Sequence, residues 1–422
     1  MKIAAAVLFI LMYVVMIAFP KKRVYAALLT AVLFVVLRIL PLGNIPAAIN
    51  WNVLMMMAGT MVVVWYFIES KMPARLAEFL LERSKNVMWV TICMALFAGI
   101  ISAFIDNVAT VVMVAPVGLA VCKKLKTSPV PMLLAIAVSS NLQGAATLVG
   151  DTTSILLGTY ANMDFASFFW MEGRPGIFFA VELGALATVP IMMYLFRKDR
   201  APVEAGEKTK VLSYVPTVFL LGLVATLIAA SFIKNKPDVT NGLICMGYAL
   251  AAVVWDFAKE RNLKNAKEAV KSIDFETLFL LFGLFLVIEG VTCTGLIDDL
   301  AGVIAKAGSG NYFLLYTIVV WGSVIISAFV DNIPYVATML PVLTSVTSIM
   351  GVSPNLLFFG LLSGATLGGN LTPIGASANI AATGLLRKEG YEVSFKEFAR
   401  IGVPFTLTAV AVAYVFLWVV WM

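Results

Sequence analysis

Apolar runs of 17 or more residues recur along the whole chain, separated by short polar or basic segments. Each is long enough to cross a hydrocarbon core of about 30 Å as a helix. The pattern predicts ten spans, at about 3–19, 24–42, 51–68, 131–159, 177–196, 211–233, 241–257, 275–293, 355–385 and 401–420. Two further apolar stretches, 87–122 and 311–350, are each about twice a span in length, with an acid–amide pair near the middle. Such a stretch is either two crossings or one re-entrant hairpin. The hairpin is favoured, because it buries the polar tip at mid-depth where protein encloses it.

The two acid–amide pairs belong to a longer repetition. Ile101-Ser102-Ala103-Phe104-Ile105-Asp106-Asn107 returns as Ile326-Ser327-Ala328-Phe329-Val330-Asp331-Asn332, 225 positions later, and the same offset pairs Pro116 with Pro341, Thr147 with Thr372 and Gly150 with Gly375. Asn50-Trp51 aligns with Asp274-Phe275, and Gly59 with Gly283. The chain therefore divides into a first unit, 1–200, with hairpin 87–122 and broken helix 131–159, and a second, 201–422, with hairpin 311–350 and broken helix 355–385. The 197–210 segment links them.

Charge orients the units. If the loop holding Lys21, Lys22 and Arg23 is cytoplasmic, 24 of the 30 Lys and Arg residues fall on that side, Lys208 of the linker among them. That is a strong positive-inside bias, and it places both termini outside. Span 51–68 then runs inward and its counterpart 275–293 outward, which makes an inverted-topology repeat of the kind that underlies alternating access. Residues 70–86 read as an amphipathic helix at the inner interface, and 258–272 as a short basic connector. No small-residue cleavage site follows 3–19, so that run reads as a span and not as a removable leader.

Composition narrows the function. At 61% hydrophobic and 13% charged, the chain belongs in a lipid bilayer, as a multi-pass protein of the cell (inner) membrane. Its net charge of +6 follows from the basic loops and implies no nucleic acid. Cys93, Cys122, Cys245 and Cys293 show neither pairing nor metal spacing, and there is no histidine, so proton handling falls to carboxylates, lysines or water. No nucleotide-binding loop or nucleophile motif is present, so the chain reads as a transporter and not an enzyme.

The candidate site lies where the spans break. The first break reads Gly144-Ala145-Ala146-Thr147-Leu148-Val149-Gly150-Asp151-Thr152-Thr153-Ser154, and the second Gly368-Gly369-Asn370-Leu371-Thr372-Pro373-Ile374-Gly375-Ala376-Ser377-Ala378-Asn379. Glycine permits non-helical torsions and Pro373 removes a donor. Freed carbonyls and hydroxyls suit a hard cation, while half-helix N-termini suit an anion. The expected ion-binding residues are Asp106, Asn107, Thr147, Gly150, Asp151 and Thr152, with Asp331, Asn332, Thr372, Gly375, Ser377 and Asn379. Of these, Asp106, Asn107, Asp151, Asp331 and Asn332 are the Na⁺ candidates. Asp-Asn is also a good helix cap, and capping is compatible with ion binding. Asp151 has no twin, since its counterpart is Ala376, and Ser154 faces Asn379. Asp151 is therefore the candidate coupling carboxylate, protonated or Na⁺-bound by turns, with a second cap as the alternative reading. Glu182 lies about a third of the way into its span, whereas Arg38, Glu69 and Glu289 sit near span ends and can snorkel.

In these four motifs the chain resembles the ion transporter superfamily, which includes citrate-transporter-like permeases, divalent-anion/sodium symporters, arsenite pumps and NhaD-type antiporters. It is most similar to the branch of the melanocyte P protein and its bacterial permease relatives. The resemblance implies an all-α polytopic fold with a scaffold domain that holds a homodimer contact. It also implies a transport domain of hairpins and broken helices that moves like an elevator. Dicarboxylate symporters of the superfamily carry Ser-Asn-Thr at both tips, and a Pro-Pro-Asn pattern usually ends their first break. Here the tips read Asp106-Asn107-Val108 and Asp331-Asn332-Ile333, and the first break reads Gly150-Asp151-Thr152-Thr153-Ser154. Carboxylates in those places argue against citrate or succinate, and Gly-Asp-Thr looks more like the NhaD-type pattern. The expectation is a cofactor-free, cation-coupled secondary transporter of a small inorganic or organic ion, leaning to Na⁺/H⁺ antiport. The alternative is Na⁺- or H⁺-coupled transport of an anion or arsenite-like hydroxide.

Overall fold

Among the described residues, two runs of ten helices build the protein. The computed structural model describes residues 1–202, 209–308 and 311–422; Lys208, counted above among the basic residues, lies outside them. The first run is α1 (Lys2–Ala18), α2 (Arg23–Val36), α3 (Ile45–Ala48), α4 (Trp51–Glu69), α5 (Met72–Glu82), α6 (Val87–Ser102), α7 (Asn107–Leu125), α8 (Val130–Gly144), α9 (Thr152–Tyr160) and α10 (Ile177–Leu195). The second is α11 (Val215–Ala230), α12 (Thr240–Glu260), α13 (Lys264–Lys271), α14 (Phe275–Cys293), α15 (Leu296–Ala307), α16 (Tyr312–Ser327), α17 (Asn332–Met350), α18 (Asn355–Gly368), α19 (Ser377–Lys388) and α20 (Phe395–Trp421).

The same chemistry starts equivalent helices in the two runs. Asn50 and Asp274 cap α4 and α14, Asn86 and Asn311 cap α6 and α16, and Asp106 and Asp331 cap α7 and α17, each through a side-chain oxygen. Such caps satisfy amides that have no partner within the helix. Helix ends repeat as well: Lys126 (φ 52°) ends α7 as Gly351 (φ 66°) ends α17, both left-handed.

All ten predicted spans contain helix, but their lengths differ from expectation. Among the described residues, seven helices are long and apolar enough to cross a membrane: α4, α7, α10, α12, α14, α17 and α20. The predicted span 24–42 stops at Val36 because Arg38 turns left-handed (φ 56°), and 211–233 shortens to α11. Two features went unforeseen. The amphipathic α5 has a counterpart in α15, and a small antiparallel hairpin joins β1 (Trp170–Met171) to β2 (Arg174–Pro175). The turn of that hairpin, Glu172-Gly173, has positive φ at both positions, the geometry that two-residue hairpin turns favour. Arg174 and Pro175 then hold the end of α20, through Val420 O and Trp421 Nε1.

The helices pack in two groups. In one, α4 lies on α12 and α2 on α14, with α1 and α11 beside them; in the other, α6 lies on α8, α16 on α18 and α10 on α20. Helix n plus ten replaces helix n in each pairing, as a two-fold relation requires. Gly59 and Gly283 allow the close approach in the first group: a Cβ would lie 2.5 Å from the Cys245 carbonyl carbon at one, and 3.0 Å from Ala27 at the other. Small residues at such crossings let backbones pack without a polar partner. Where the groups meet, α4 touches α9 and α14 touches α17, while α5 packs on both α4 and α7 and α15 on both α14 and α17.

Candidate functional site

Each break folds back onto its own hairpin turn in the same way. Thr147 donates its hydroxyl to Ala103 O, and Thr372 donates to Ala328 O at 2.6 Å. Gly150 and Gly375 complete the fit. A Cβ at Gly150 would lie 2.5–2.8 Å from the carbonyl oxygens of Gly144, Ser102 and Ala103, and one at Gly375 2.6–2.9 Å from those of Gly369 and Ala328. The predicted ion ligands Thr147, Gly150, Thr372 and Gly375 are thus placed as the joints that lock break to hairpin. Ser154 and its counterpart Asn379 also play one role, donating to Gly144 O (3.4 Å) and Gly369 O (3.0 Å).

Between the breaks runs a buried chain of amides. Ser140 bonds Ser102 (2.9 Å), Ser102 donates to Asn107 Oδ1 (2.8 Å), and Asn107 Nδ2 donates to Asn141 Oδ1 (3.3 Å). Asn141 Nδ2 then donates to Asn370 (2.8 Å) and Asn379 (3.0 Å) across the repeat boundary. Thr366, the counterpart of Asn141, reaches back to Thr153 at 3.2 Å, so the crossing is reciprocal. An unsatisfied buried amide costs about 1–3 kcal/mol, so this chain fixes how the two breaks sit together. Sequence reasoning missed Asn141. Its counterpart is a threonine, so repetition did not mark it.

A small cavity of about 40 Å³ opens at this crossing, lined by Asp106, Asn107, Asp151, Thr152, Asn332 and Ser377 from the predicted set. It adjoins a larger cavity of about 360 Å³ that leads past Trp65, Ile68 and Ser272. Asp106, Asp151 and Asp274 line both. Asp106 uses only Oδ2 to cap α7, at Val108 N (2.9 Å) and Ala109 N (3.2 Å). Asp151 stands at the N-terminus of α9 without capping it, and its Oδ2 accepts the Thr153 hydroxyl at 2.8 Å. The N-terminus of α19, behind Ala376, is likewise without a side-chain cap. Two helix N-termini therefore meet carboxylates at one cavity, an arrangement that offsets part of the cost of burying negative charge. Among the described residues no three acidic or sulfur side chains converge closely enough to hold one metal ion.

Asp331 and Asn379 lie outside this cavity. Asn379 is held in the amide chain. Asp331 caps α17 through Oδ1, at Ile333 N (3.0 Å), while its Oδ2 is paired with Arg23 Nη1. Arg23 also faces Glu276 at 3.5 Å. The two hairpin tips, alike in sequence, thus differ in state: one carboxylate faces the cavity and the other faces an arginine of the opposite helix group. Asp274, aligned with Asn50 in the sequence but not expected at the site, caps α14 through Thr277 N (3.0 Å) and takes the Thr277 hydroxyl (2.5 Å).

Broken helices with polar ends, folded against paired hairpins inside an apolar bundle, define a membrane transporter. Comparison with known proteins agrees. The citrate transporter family model matches residues 11–364 and 267–422. An uncharacterized transporter of Mycobacterium tuberculosis is 30% identical over 430 residues, covering 99% of this chain and 98% of the relative. The human P protein is 25% identical over 452 residues, covering 87% of this chain and 53% of its own. Among solved structures, the YdaH transporter of Alcanivorax borkumensis superposes with a TM-score of 0.60 at 16% identity, covering 89% of this chain and 86% of that one. MtrF of Neisseria gonorrhoeae gives 0.57 at 15%, with 87% and 80% covered. At those identities the structures speak for the fold alone. The chain belongs to the citrate transporter family and is a secondary transporter, not an enzyme.

Proposed function

We propose that the chain is a cation-coupled transporter that exchanges Na⁺ for H⁺ by an elevator-type movement. The observation that carries this reading is Asp151: a carboxylate 5% exposed, at a helix start it does not cap, lining a cavity of about 40 Å³ with Asp106. That volume suits a small ion with a few water molecules, and Asp106 and Asp151 also line the adjoining approach of about 360 Å³. A buried carboxylate that accepts Na⁺ must be deprotonated, so each ion bound displaces a proton. Na⁺ and H⁺ then compete.

In this reading the units 1–200 and 201–422 have opposite orientations and both termini face outward. The group around α4, α12, α2 and α14 is the scaffold, which pairs with a second copy. The group of hairpins and broken helices moves. The present state is open toward the basic side, where both tips stand level with the starts of α2 and α14. A second reading, transport of an anion or arsenite-like hydroxide with Na⁺ or H⁺, draws on the uncapped N-termini of α9 and α19.

The deciding experiment reconstitutes the protein in liposomes and imposes Na⁺ and pH gradients, then offers dicarboxylates, arsenite, phosphate and sulfate. Na⁺-driven proton movement is expected, with apparent Na⁺ affinity weakening as pH falls. Sodium-independent anion uptake without a proton signal overturns the exchange reading.

A further inference from the structure

The position that caps the scaffold helix differs between repeats in charge but not in capping. Asp274 starts α14 and Asn50, its counterpart, starts α4; each accepts an amide three residues on, at 3.0 and 3.2 Å. Asp274 lines the small cavity and its approach. Asn50 lines a separate cavity of about 990 Å³ at the opposite mouth, beside Asn52, Asn241 and the α17 residues Ala337 and Leu340. The site itself shows ligand-seeking groups apart from its acids. Thr152 and Asn332, 5% and 6% exposed, line it with side chains that bond no described protein group.

We infer that Asp274 sets the affinity for a small monovalent cation at the mouth beside α13, and that Asn50 leaves the opposite mouth the weaker one. The inference rests on the exchange reading above, with alternating exposure of one site to two mouths. Asp274 acts through its charge at the entrance. It is a positioning residue, because both its carboxylate oxygens are already engaged by Thr277, at the amide and the hydroxyl. When the moving group stands at the other mouth, the two-fold relation brings the site level with Asn50, and a neutral amide replaces that charge. One site then binds its cation more tightly on one side of the membrane than on the other.

Capping alone is the competing explanation, and substitution separates the two. Asn caps as well as Asp, so Asp274→Asn keeps the helix start and removes only the charge. The full-length protein is reconstituted in orientation-selected liposomes, and the half-saturating Na⁺ concentration is measured from each face. A unit charge at about 6 Å in an effective dielectric of ~20 corresponds to at most roughly a hundredfold in affinity. Asp274→Asn is expected to raise the half-saturating Na⁺ at the α13 face about tenfold or more and leave the other face unchanged. Asn50→Asp is expected to lower the value at the opposite face by a similar factor. Asp274→Glu, which keeps the charge on a poorer cap, should lie nearer wild type in Na⁺ affinity than Asp274→Asn, and farther from it in thermal stability. Wild-type affinities at both faces in Asp274→Asn and Asn50→Asp, with wild type itself responding to Na⁺, overturn the inference alone. A wild type with no Na⁺ response at either face overturns the exchange reading, and this inference with it.

Discussion

Replacing Arg23 by Gln tests whether the ion pair across the two helix groups holds the present state. Arg23 sits on α2 and Asp331 at the tip before α17; both side chains are 19% exposed, and Glu276 at 55% adds a weaker contact. Two unit charges about 4 Å apart attract by about 4 kcal/mol at an effective dielectric of ~20. Solvent-exposed pairs are worth about 0–1 kcal/mol, and breaking a fully buried one costs about 3–5. A pair one-fifth exposed lies between, at about 2 kcal/mol, or roughly thirtyfold in an equilibrium constant. In the proposed movement the pair exists only when the tip stands beside α2, so its loss shifts the balance between the two states by that factor: a protein at about 97:3 moves to near 1:1. Spin labels at Asn262, beside the scaffold helix α12, and at Lys388, at the end of α19, report the two populations as two distances. Asp331→Asn should shift them to the same extent, and the double variant no further than either alone. Unchanged populations in Arg23→Gln, or shifts that add in the double variant, refute the lock.

Asp106→Asn and Asp151→Asn are each expected to slow Na⁺/H⁺ exchange in liposomes more than tenfold while the melting temperature holds, since Asn still caps α7 and Asp151 caps nothing; wild-type rates in both remove these carboxylates from the site. Thr147→Val and Thr372→Val each strand a carbonyl at a hairpin turn and should cost about 1–3 kcal/mol of stability, measured by thermal unfolding in detergent. Lys126→Gly should stabilise by about 1 kcal/mol, because the position is left-handed (φ 52°) and its counterpart Gly351 is already glycine; a lower melting temperature contradicts that account.

Repetition made much of the fold legible, and its limits follow from what repeats. Residues with the same duty in both halves stand out at an offset of 224 or 225: Asp106 and Asp331 as caps, Thr147 and Thr372 as joints, Gly59 and Gly283 as crossings. Yet the offset marks a shared duty without saying which duty it is. Thr147, Thr372, Gly150 and Gly375 recur because a hairpin turn must be fastened to a break in each half, and that packing need produces the same signal as ion binding. The α15 helix was open to the same reasoning, one offset beyond α5. Residues that act once, across the repeats, carry no such mark. Arg23 looks like part of a basic loop until folding brings it to Asp331, 308 positions away. Asn141 has a threonine for a twin.

The differences between halves therefore carry the directional information. A perfect two-fold would give equal energies to the two exposed states and equal affinities at the two mouths. Three substitutions break it near the site: Asp151 against Ala376, Asp274 against Asn50, and Arg23 against Asn241, the last pair aligned by the matching crossings of Ala27 on Gly283 and Cys245 on Gly59. All three place their charge on the side where the small cavity now opens. The two acids add negative charge beside Asp106, and the arginine neutralises Asp331 at the other tip. The same asymmetry thus favours both this state and cation binding within it. In the proposed exchange cycle, an ion released only after the site leaves Asp274 behind gives transport its preferred side, and the helices alone do not provide one.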